Sequence, residues 1–350
     1  NLPDPFDSTP VKQGIRVYYT DLNVGGVSFA ILEDRKFKSA PLGKIPQMGP
    51  RPDHIDDPTY DRTAVDLPGL KLLGDRQLKF LDQWSRDWAD TEIKVALSAT
   101  AFCGAVHVHG NQNPKRLLAD LDCNGWPQTG RNSAIKALRR ARAFHLCGDQ
   151  HLGVSLQHGI ESYRDGPYAF TVPAIVNTVY GRWWHPLDER MGGGEVIDSS
   201  LPWVGDYEDG LGNKITMHAY ANPQDRSIRA GRGDGYGIVH MNKSTGLIDF
   251  ECWPRFANVT KGDSEQYEGW PISFHISEND GRKPIRYMDE VKLPFNDSVI
   301  ELTDNLTGEL IYCYRVKGKK FSAPIFRKGS YTLRAGLNKA DIVILKDEIN

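Results

Sequence analysis

The sequence predicts an α/β core, which we place at residues 1–260, followed by a β-rich accessory domain at residues 261–350. Between residues 15 and 150, short apolar segments alternate with two helical patterns, as in a mixed sheet flanked by helices. After about residue 155 the helical spacing of apolar residues ends. The last domain contains repeated turn sequences, for example at residues 305–308, which are typical of an all-β structure.

The elements of the core follow from apolar spacing and turn residues. Leu78, Leu81 and Trp84 recur every three or four positions, which predicts a helix with one apolar face. Gly25 and Gly26 favour a turn between the first two strands. The predicted helices are residues 75–90 and 130–142, and the predicted strands are residues 15–19, 27–32, 94–99, 143–147, 214–220, 235–241 and 247–253.

Charge and cysteine content argue against several classes of protein. The 350 residues carry 43 basic and 45 acidic side chains, a balance that gives no positive field for nucleic acid or an anionic membrane. No apolar run approaches the ~20 residues of a transmembrane segment. The five cysteines include no Cys-x-x-Cys pair, which argues against a disulfide framework. Cys103, His107 and His109 are a weaker candidate metal set, since one strand would turn them to the same face.

The most informative motif is Gly148-Asp149-Gln150-His151, which directly follows a predicted buried strand. Open α/β sheets bind their ligands beyond the carboxyl ends of the strands. A carboxylate and an imidazole at such a place can share a metal ion, or one can bind metal while the other transfers a proton. A plain strand-end turn, with Asp149 capping the loop and His151 packing locally, is the alternative.

Several further segments accompany this motif in a specific order and spacing. They are residues 18–22, 29–36, 73–78, 124–132, 148–151, 235–239 and 250–255. Together they resemble the PhoD-like (alkaline phosphatase D) family of the metallophosphoesterase superfamily. The resemblance covers residues 1 to about 272, and the order of the segments is more specific than any one motif.

The resemblance implies part of a metallophosphoesterase-like mixed-sheet sandwich that holds metal ions, iron and/or calcium in this family. It implies hydrolysis of phosphate esters, of the phosphodiesterase or alkaline phosphatase D type, in the periplasm or outside the cell. Asp149 and His151 match the family's last metal-binding element, and His151 would also take part in catalysis. Arg35, Asn124 and Arg131 match positions near the family's site, where they would hold phosphoryl oxygens.

The chain also departs from the family pattern. The metal ligands of the family's N-terminal half are missing ahead of Asp34 and Arg35. The acidic stretch at residues 53–57 has suitable side chains, but residues 39–70 are rich in Pro and Asp and predict a surface excursion without a strand to fix its geometry. We therefore expect either part of a metal cluster, completed by an N-terminal segment or a second chain, or an inactive relative.

Other interpretations stay open at this point. The protein could be a non-catalytic carbohydrate- or cell-surface-binding protein derived from the same fold, or an esterase or sulfatase acting on another charged ester. Arg35 has Asp34 and Glu33 as neighbours for an ordinary salt bridge, and Arg131 could be a surface arginine. Asn124 could simply form the Asn-Gly turn in its segment.

Overall fold

The computed structural model describes residues 3–106, 108–109, 117–176, 181–183, 197, 199–225 and 231–349. Its two α-helices, α1 (Gly74–Arg86) and α2 (Gln128–Arg140), match the two predicted helices and have 13 residues each. Within the described residues, no helix is long and apolar enough to cross a membrane. Short 3₁₀ turns occur at Val259–Lys261, Asp263–Glu265 and Ile276–Asn279.

The strands of the described residues are numbered along the chain. They are β1 (Thr20–Val24), β2 (Val27–Ile31), β3 (His54–Ile55), β4 (Ile93–Thr100), β5 (Val108–His109), β6 (Ala119–Asp120), β7 (Phe144–Gly148), β8 (Val154–His158), β9 (Tyr168–Thr171), β10 (Gly181–Arg182), β11 (Gly205–Glu208), β12 (Lys214–Tyr220), β13 (Gly235–Met241), β14 (Leu247–Pro254), β15 (Ile272–His275), β16 (Arg286–Tyr287), β17 (Val291–Lys292), β18 (Val299–Asp304), β19 (Leu310–Arg315), β20 (Lys320–Phe321), β21 (Pro324–Ile325), β22 (Gly329–Gly336) and β23 (Ile342–Ile349).

An eight-stranded mixed sheet forms the centre of the core, in the order β1-β2-β4-β7-β9-β8-β12-β11. The four strands β2, β4, β7 and β9 run parallel, and the others pair antiparallel. The carboxyl ends of the parallel strands therefore meet at one edge of the sheet.

Both faces of this sheet are covered. On one face α1 and α2 bury Phe80 and Leu138. On the other face the antiparallel sheet β13-β14-β15 buries Phe250 and Phe274 against Phe170. A large mixed sheet with few helices and further antiparallel sheets confirms the predicted α/β class.

The C-terminal segment carries the four-stranded sheet β19-β18-β22-β23, whose core includes Ile300 and Leu333. It packs on the end of α1, where the Arg315 guanidinium donates to the backbone carbonyls of Trp88 and Thr91, both at 2.8 Å. The domain boundary near residue 260 stays a prediction. β15, which follows that position, still pairs with β14 of the core.

Two N-terminal features differ from the sequence prediction. The turn at Gly25 and Gly26, both with positive φ, pairs β1 with β2, so the first strand begins later than the predicted residues 15–19. Residues 39–70 are not a simple surface excursion, because β3 lies there and pairs with β6. Their apolar side chains Ile55 and Tyr60 are buried in a small cluster with Trp126. This cluster fixes the segment onto the core.

Candidate functional site

Three neighbouring parallel strands carry polar residues where they end. Asp34 follows β2, Thr100 is the last residue of β4, and Asp149 follows β7. This edge is where open α/β sheets bind ligands. Asp149 and His151 thus lie just beyond a buried strand, where the sequence pattern places them.

The turn after β7 has an unusual backbone. Asp149 and His151 have φ values of 71° and 54°, in the left-handed region, and Gln150 lies between them. The Gln150 side chain donates through Nε2 to the Cys103 carbonyl at 2.9 Å, which ties the turn to the neighbouring loop. Left-handed non-glycine residues cost roughly 1–3 kcal/mol and concentrate at functional sites. The turn therefore presents Asp149 and His151 in one enforced arrangement.

A cavity of about 340 Å³ lies beside this turn. Its wall includes four carboxylates and one guanidinium, so its formal charge is −3 when the two imidazoles are neutral. Such a wall attracts cations and repels anions. The ionisable residues of the wall are Arg51, Asp53, His54, Asp120, Asp122, Cys123, Asp149 and His151, and the others are Thr100, Gly104, Val106 and Gln150.

Asp53, His54 and Asp120 come together on one side of the cavity. One ligand atom from each lies within 4.8 Å of the other two, and all three residues are half-buried. His54 and Asp120 are cross-strand partners in the β3–β6 ladder, and the Leu121 N–H donates to the Asp53 carbonyl at 2.8 Å. The expectation that residues 53–57 have no strand to fix them is therefore wrong at His54, and Asp53 is held by the backbone hydrogen bond beside the strand.

Sequence reasoning missed this set for a physical reason. β3 and β6 are two residues long each, and their pairing joins segments that are distant in the sequence. Asp120 carried no motif of its own. The adjacent Asp53 and His54 were the only local signal, and a Pro-rich neighbourhood argued against using it.

Burial is the largest influence on the pKa of two carboxylates of this region. It raises the pKa of Asp120, while the Asp122 N–H at 2.8 Å and the nearby His54 act to lower it. Burial likewise raises the pKa of Asp34, against the hydrogen bonds that Thr100 and Asn124 donate to the carboxylate. Both carboxylates are thus poorly solvated, a state in which a cation or a hydrogen-bond donor is favoured as a neighbour.

Arg35 does not line the cavity but contacts Asp122, which belongs to the wall, and we call this position the rim. Its guanidinium binds both carboxylate oxygens of Asp122, at 2.8 and 2.9 Å, and also the Asp122 carbonyl at 3.1 Å. The two side chains are 40% and 48% exposed, so solvent reaches the pair. Lys38 holds the same loop, since its ammonium donates to the carbonyls of Leu121 and Cys123 at 2.9 and 2.7 Å. In the alternative interpretation Arg35 forms an ordinary salt bridge with Asp34 or Glu33, and the structure gives it a salt bridge with Asp122 instead.

Asn124 is fully buried behind the cavity wall. Its amide nitrogen donates to the Asp34 carboxylate and to the Thr100 carbonyl. The side-chain oxygens of Asn124, Thr100 and Gln150 are all buried without a hydrogen-bond partner. Thr100 and Gln150 belong to the wall, so two unsatisfied oxygens sit beside the cavity. Buried acceptors of this kind are rare unless a ligand or water supplies a donor or a cation.

Arg131 has a different environment from the one the resemblance implies. Its side chain is 1% exposed, and its guanidinium donates to the carbonyls of Phe102 and Gly159 at 3.0 and 2.6 Å. It is not part of the cavity wall. The expected phosphate contact of Arg131 is therefore corrected to a structural contact that joins α2 to two loops.

The weaker candidate set at residues 103–109 is not assembled by the described part of the chain. Cys103 is buried and lines no part of the cavity. His107 lies outside the described residues, and the side chain of His109 does as well.

The chain is similar to one solved structure in a comparison with known proteins. No protein-family model matches the sequence. No curated protein matches it either. A solved structure of PhoD is similar with a TM-score of 0.35 and 18% sequence identity, over 49% of this chain and 31% of that chain. The matched part thus spans about a third of the length of the PhoD structure, and a similarity of this degree does not establish the family of the chain.

Proposed function

We propose that the chain is a metal-dependent hydrolase of phosphate esters, with the cavity at the strand ends as its active site. One observation carries the proposal: two groups of carboxylate and imidazole ligands face the same cavity of about 340 Å³. Asp149 and His151 come from the turn after β7, and the second group comes from β3 and β6. The resemblance of the motif segments to PhoD-like phosphatases supports the choice of phosphate over other charged esters.

The charge of the wall supports a dependence on metal. A wall with a formal charge of −3 repels a phosphate ester unless cations neutralise it. Carboxylate and imidazole ligands suit iron, manganese and zinc, and carboxylates also suit calcium. Bound metal ions would supply the charge neutralisation and Lewis acidity that phosphate-ester hydrolysis requires.

The residues of the chain take separate roles in this proposal. Asp149 and His151 hold metal from the sheet side, and the imidazole of His151 can also carry a proton to or from the reacting group. Arg35 places positive charge at the rim, where a phosphoryl oxygen enters. Asn124 does not line the cavity and acts as a positioning residue through Asp34.

The test is hydrolysis by the purified chain after metal reconstitution. We expect turnover of an aryl phosphate diester or monoester, and a loss of orders of magnitude in Asp149→Ala and in His151→Ala. Asp289→Ala and His240→Ala are matched controls, since both side chains are exposed and lie outside the cavity wall. Full activity in both site variants would end the assignment, and turnover of an aryl sulfate alone would point to a sulfatase.

The origin of further metal ligands and the location of the protein are proposals as well. An N-terminal segment or a second chain could add ligands to the cavity, which a comparison of this chain with a longer form would test. A periplasmic or extracellular location is implied by the resemblance alone.

A further inference from the structure

We propose that Asp53, His54 and Asp120 form a site for one divalent transition-metal ion, and that Arg51 opposes its occupancy. As a part of the catalytic machinery this site rests on the proposed function, but the binding of the ion does not. The donors, two carboxylates and one imidazole, determine the class of ion. They suit Mn²⁺, Fe²⁺ and Zn²⁺ better than Mg²⁺ or Ca²⁺, which prefer oxygen ligands alone.

The geometry of the set is built by the backbone. The ligand atoms lie within 4.8 Å of one another, the spacing that a single ion can bridge with small side-chain adjustments. His54 and Asp120 face each other across the β3–β6 ladder, and the neighbouring Ile55 is 1% exposed. The ligands are therefore ordered before the ion arrives, which lowers the entropic cost of binding.

Three protein ligands leave coordination positions open on the cavity side. This is the pattern of catalytic metal sites, in which water or substrate completes the shell. The wall also offers the Gln150 side-chain oxygen, which is buried without a hydrogen-bond partner in a residue that is 6% exposed. An unsatisfied buried acceptor is destabilising, and a water molecule bound to the ion would relieve this by donating to it.

Arg51 competes with the ion for Asp53. Its guanidinium donates to both carboxylate oxygens, Nη2 at 2.6 Å and Nε at 3.1 Å. The Arg51 side chain is 62% exposed, so it can move into solvent when Asp53 turns to an ion. The Asp53 side chain is only 16% exposed, but solvent screens the guanidinium of Arg51, so the pair is a modest competitor of the ion.

The experiment is a titration of the chelator-treated 350-residue chain with MnCl₂ or ZnCl₂, followed by calorimetry and by the Mn²⁺ electron paramagnetic resonance signal. We expect His54→Gln and Asp120→Asn to weaken binding at this site by about tenfold or more, as loss of a ligand should. Asp120→Asn keeps an oxygen that accepts from the Asp122 N–H, so the fold is retained. His240→Gln and Asp289→Asn serve as controls, and thermal melting checks each variant.

Arg51→Gln gives a test in the opposite direction. Removing the competitor should raise the affinity by up to about fivefold, the size of an ion pair that solvent screens at the Arg51 end. A merely structural acidic cluster would instead lose stability and gain no affinity. Asp53→Asn provides a second ligand variant if Asp120→Asn fails to fold.

The outcomes separate this inference from the proposed function. Loss of metal in the ligand variants without any hydrolysis by the wild-type chain would support the site and reject the phosphoesterase. Hydrolysis that persists while the ligand variants bind metal as the wild type does would reject the site and keep the phosphoesterase. A wild-type chain that binds neither Mn²⁺ nor Zn²⁺ at millimolar concentration would overturn the inference.

Discussion

His54 and Asp120 lie directly opposite each other in the β3–β6 ladder, although they come from distant parts of the sequence. This pairing brings a Pro-rich segment to the edge of the large sheet where Asp149 and His151 emerge. The two groups of ligands therefore face the same cavity. Substitutions of the residues that hold this segment, the cavity wall and the rim test this arrangement.

Ile55 anchors β3 to the core. Ile55 is 1% exposed within the cluster around Trp126, so Ile55→Ala should lower the free energy of unfolding by about 2–4 kcal/mol. It should also weaken metal binding, since the adjacent His54 loses its support. Urea denaturation measures the first effect, and Leu42→Ala, at a side chain 74% exposed, is the control. Equal effects of the two substitutions would show that the segment is not anchored as described.

Asn124 should matter for stability more than an ordinary turn residue does. Asn124→Ala removes the donor to the buried Asp34 carboxylate and should cost about 1–3 kcal/mol in the free energy of unfolding. Asn296→Ala, at an exposed asparagine, should change it by less than about 0.5 kcal/mol. If Asn124→Ala is as stable as the wild type, Asp34 does not depend on this hydrogen bond.

Lys94 lies outside the cavity wall, and its burial should make the free energy of unfolding depend on pH. Its ammonium is buried 4.5 Å and 4.7 Å from the ring centres of Trp84 and Trp88, and burial lowers its pKa from 10.5 to about 7. Between these two pH values the unfolded chain binds the proton and the folded chain does not. The free energy of unfolding should therefore rise with pH over this range, by at most about 1.4 kcal/mol per pH unit.

Lys94→Met removes this titration. The variant should exceed the wild type in stability most at pH 7 and below, and the difference should shrink as the pH approaches 10. Urea denaturation at pH 6, 7.5 and 9 measures it, with Lys79→Met on the exposed face of α1 as the control. A difference that stays constant from pH 6 to pH 9 would contradict a neutral Lys94 in the folded protein.

Substitutions of Arg35 distinguish the effect of its positive charge from the effect of its planar guanidinium group. Arg35→Lys keeps the charge but loses the planar guanidinium, whose two terminal nitrogens bind the carboxylate and the backbone carbonyl of Asp122, and should lower kcat/KM for a phosphate ester, mainly through KM. Its stability should change by less than about 1 kcal/mol, because the pair is exposed. Arg16→Ala is a control at an exposed arginine. Wild-type kinetics in Arg35→Ala would make Arg35 an ordinary surface residue.

The sequence predicted the parts of the fold that depend on neighbouring residues. The apolar spacing of α1 and the buried strand β7 were sufficient to locate both, and with β7 came the position of Asp149. The strand prediction at residues 15–19 was wrong, because the turn at Gly25 and Gly26 selects which residues pair with β2. A hairpin register depends on its turn more than on strand composition.

The second half of the site could not be predicted in this way. Two-residue strands leave no periodic pattern, and the pairing of β3 with β6 depends on the burial of Ile55 against residues far along the chain. Arg131 shows the converse limit. A position in a motif does not reveal whether a guanidinium faces the cavity or the backbone carbonyls behind it.

The most direct measurement of the central claim combines metal occupancy and turnover on the same sample. Chelator-treated chain is titrated with metal while hydrolysis of an aryl phosphate diester is followed, for the wild type and for Asp149→Asn with His151→Gln. The proposal predicts that the rate of the wild type rises with occupancy of the cavity and that the double variant stays near background. Equal rates with and without metal, or no hydrolysis at full occupancy, would contradict it.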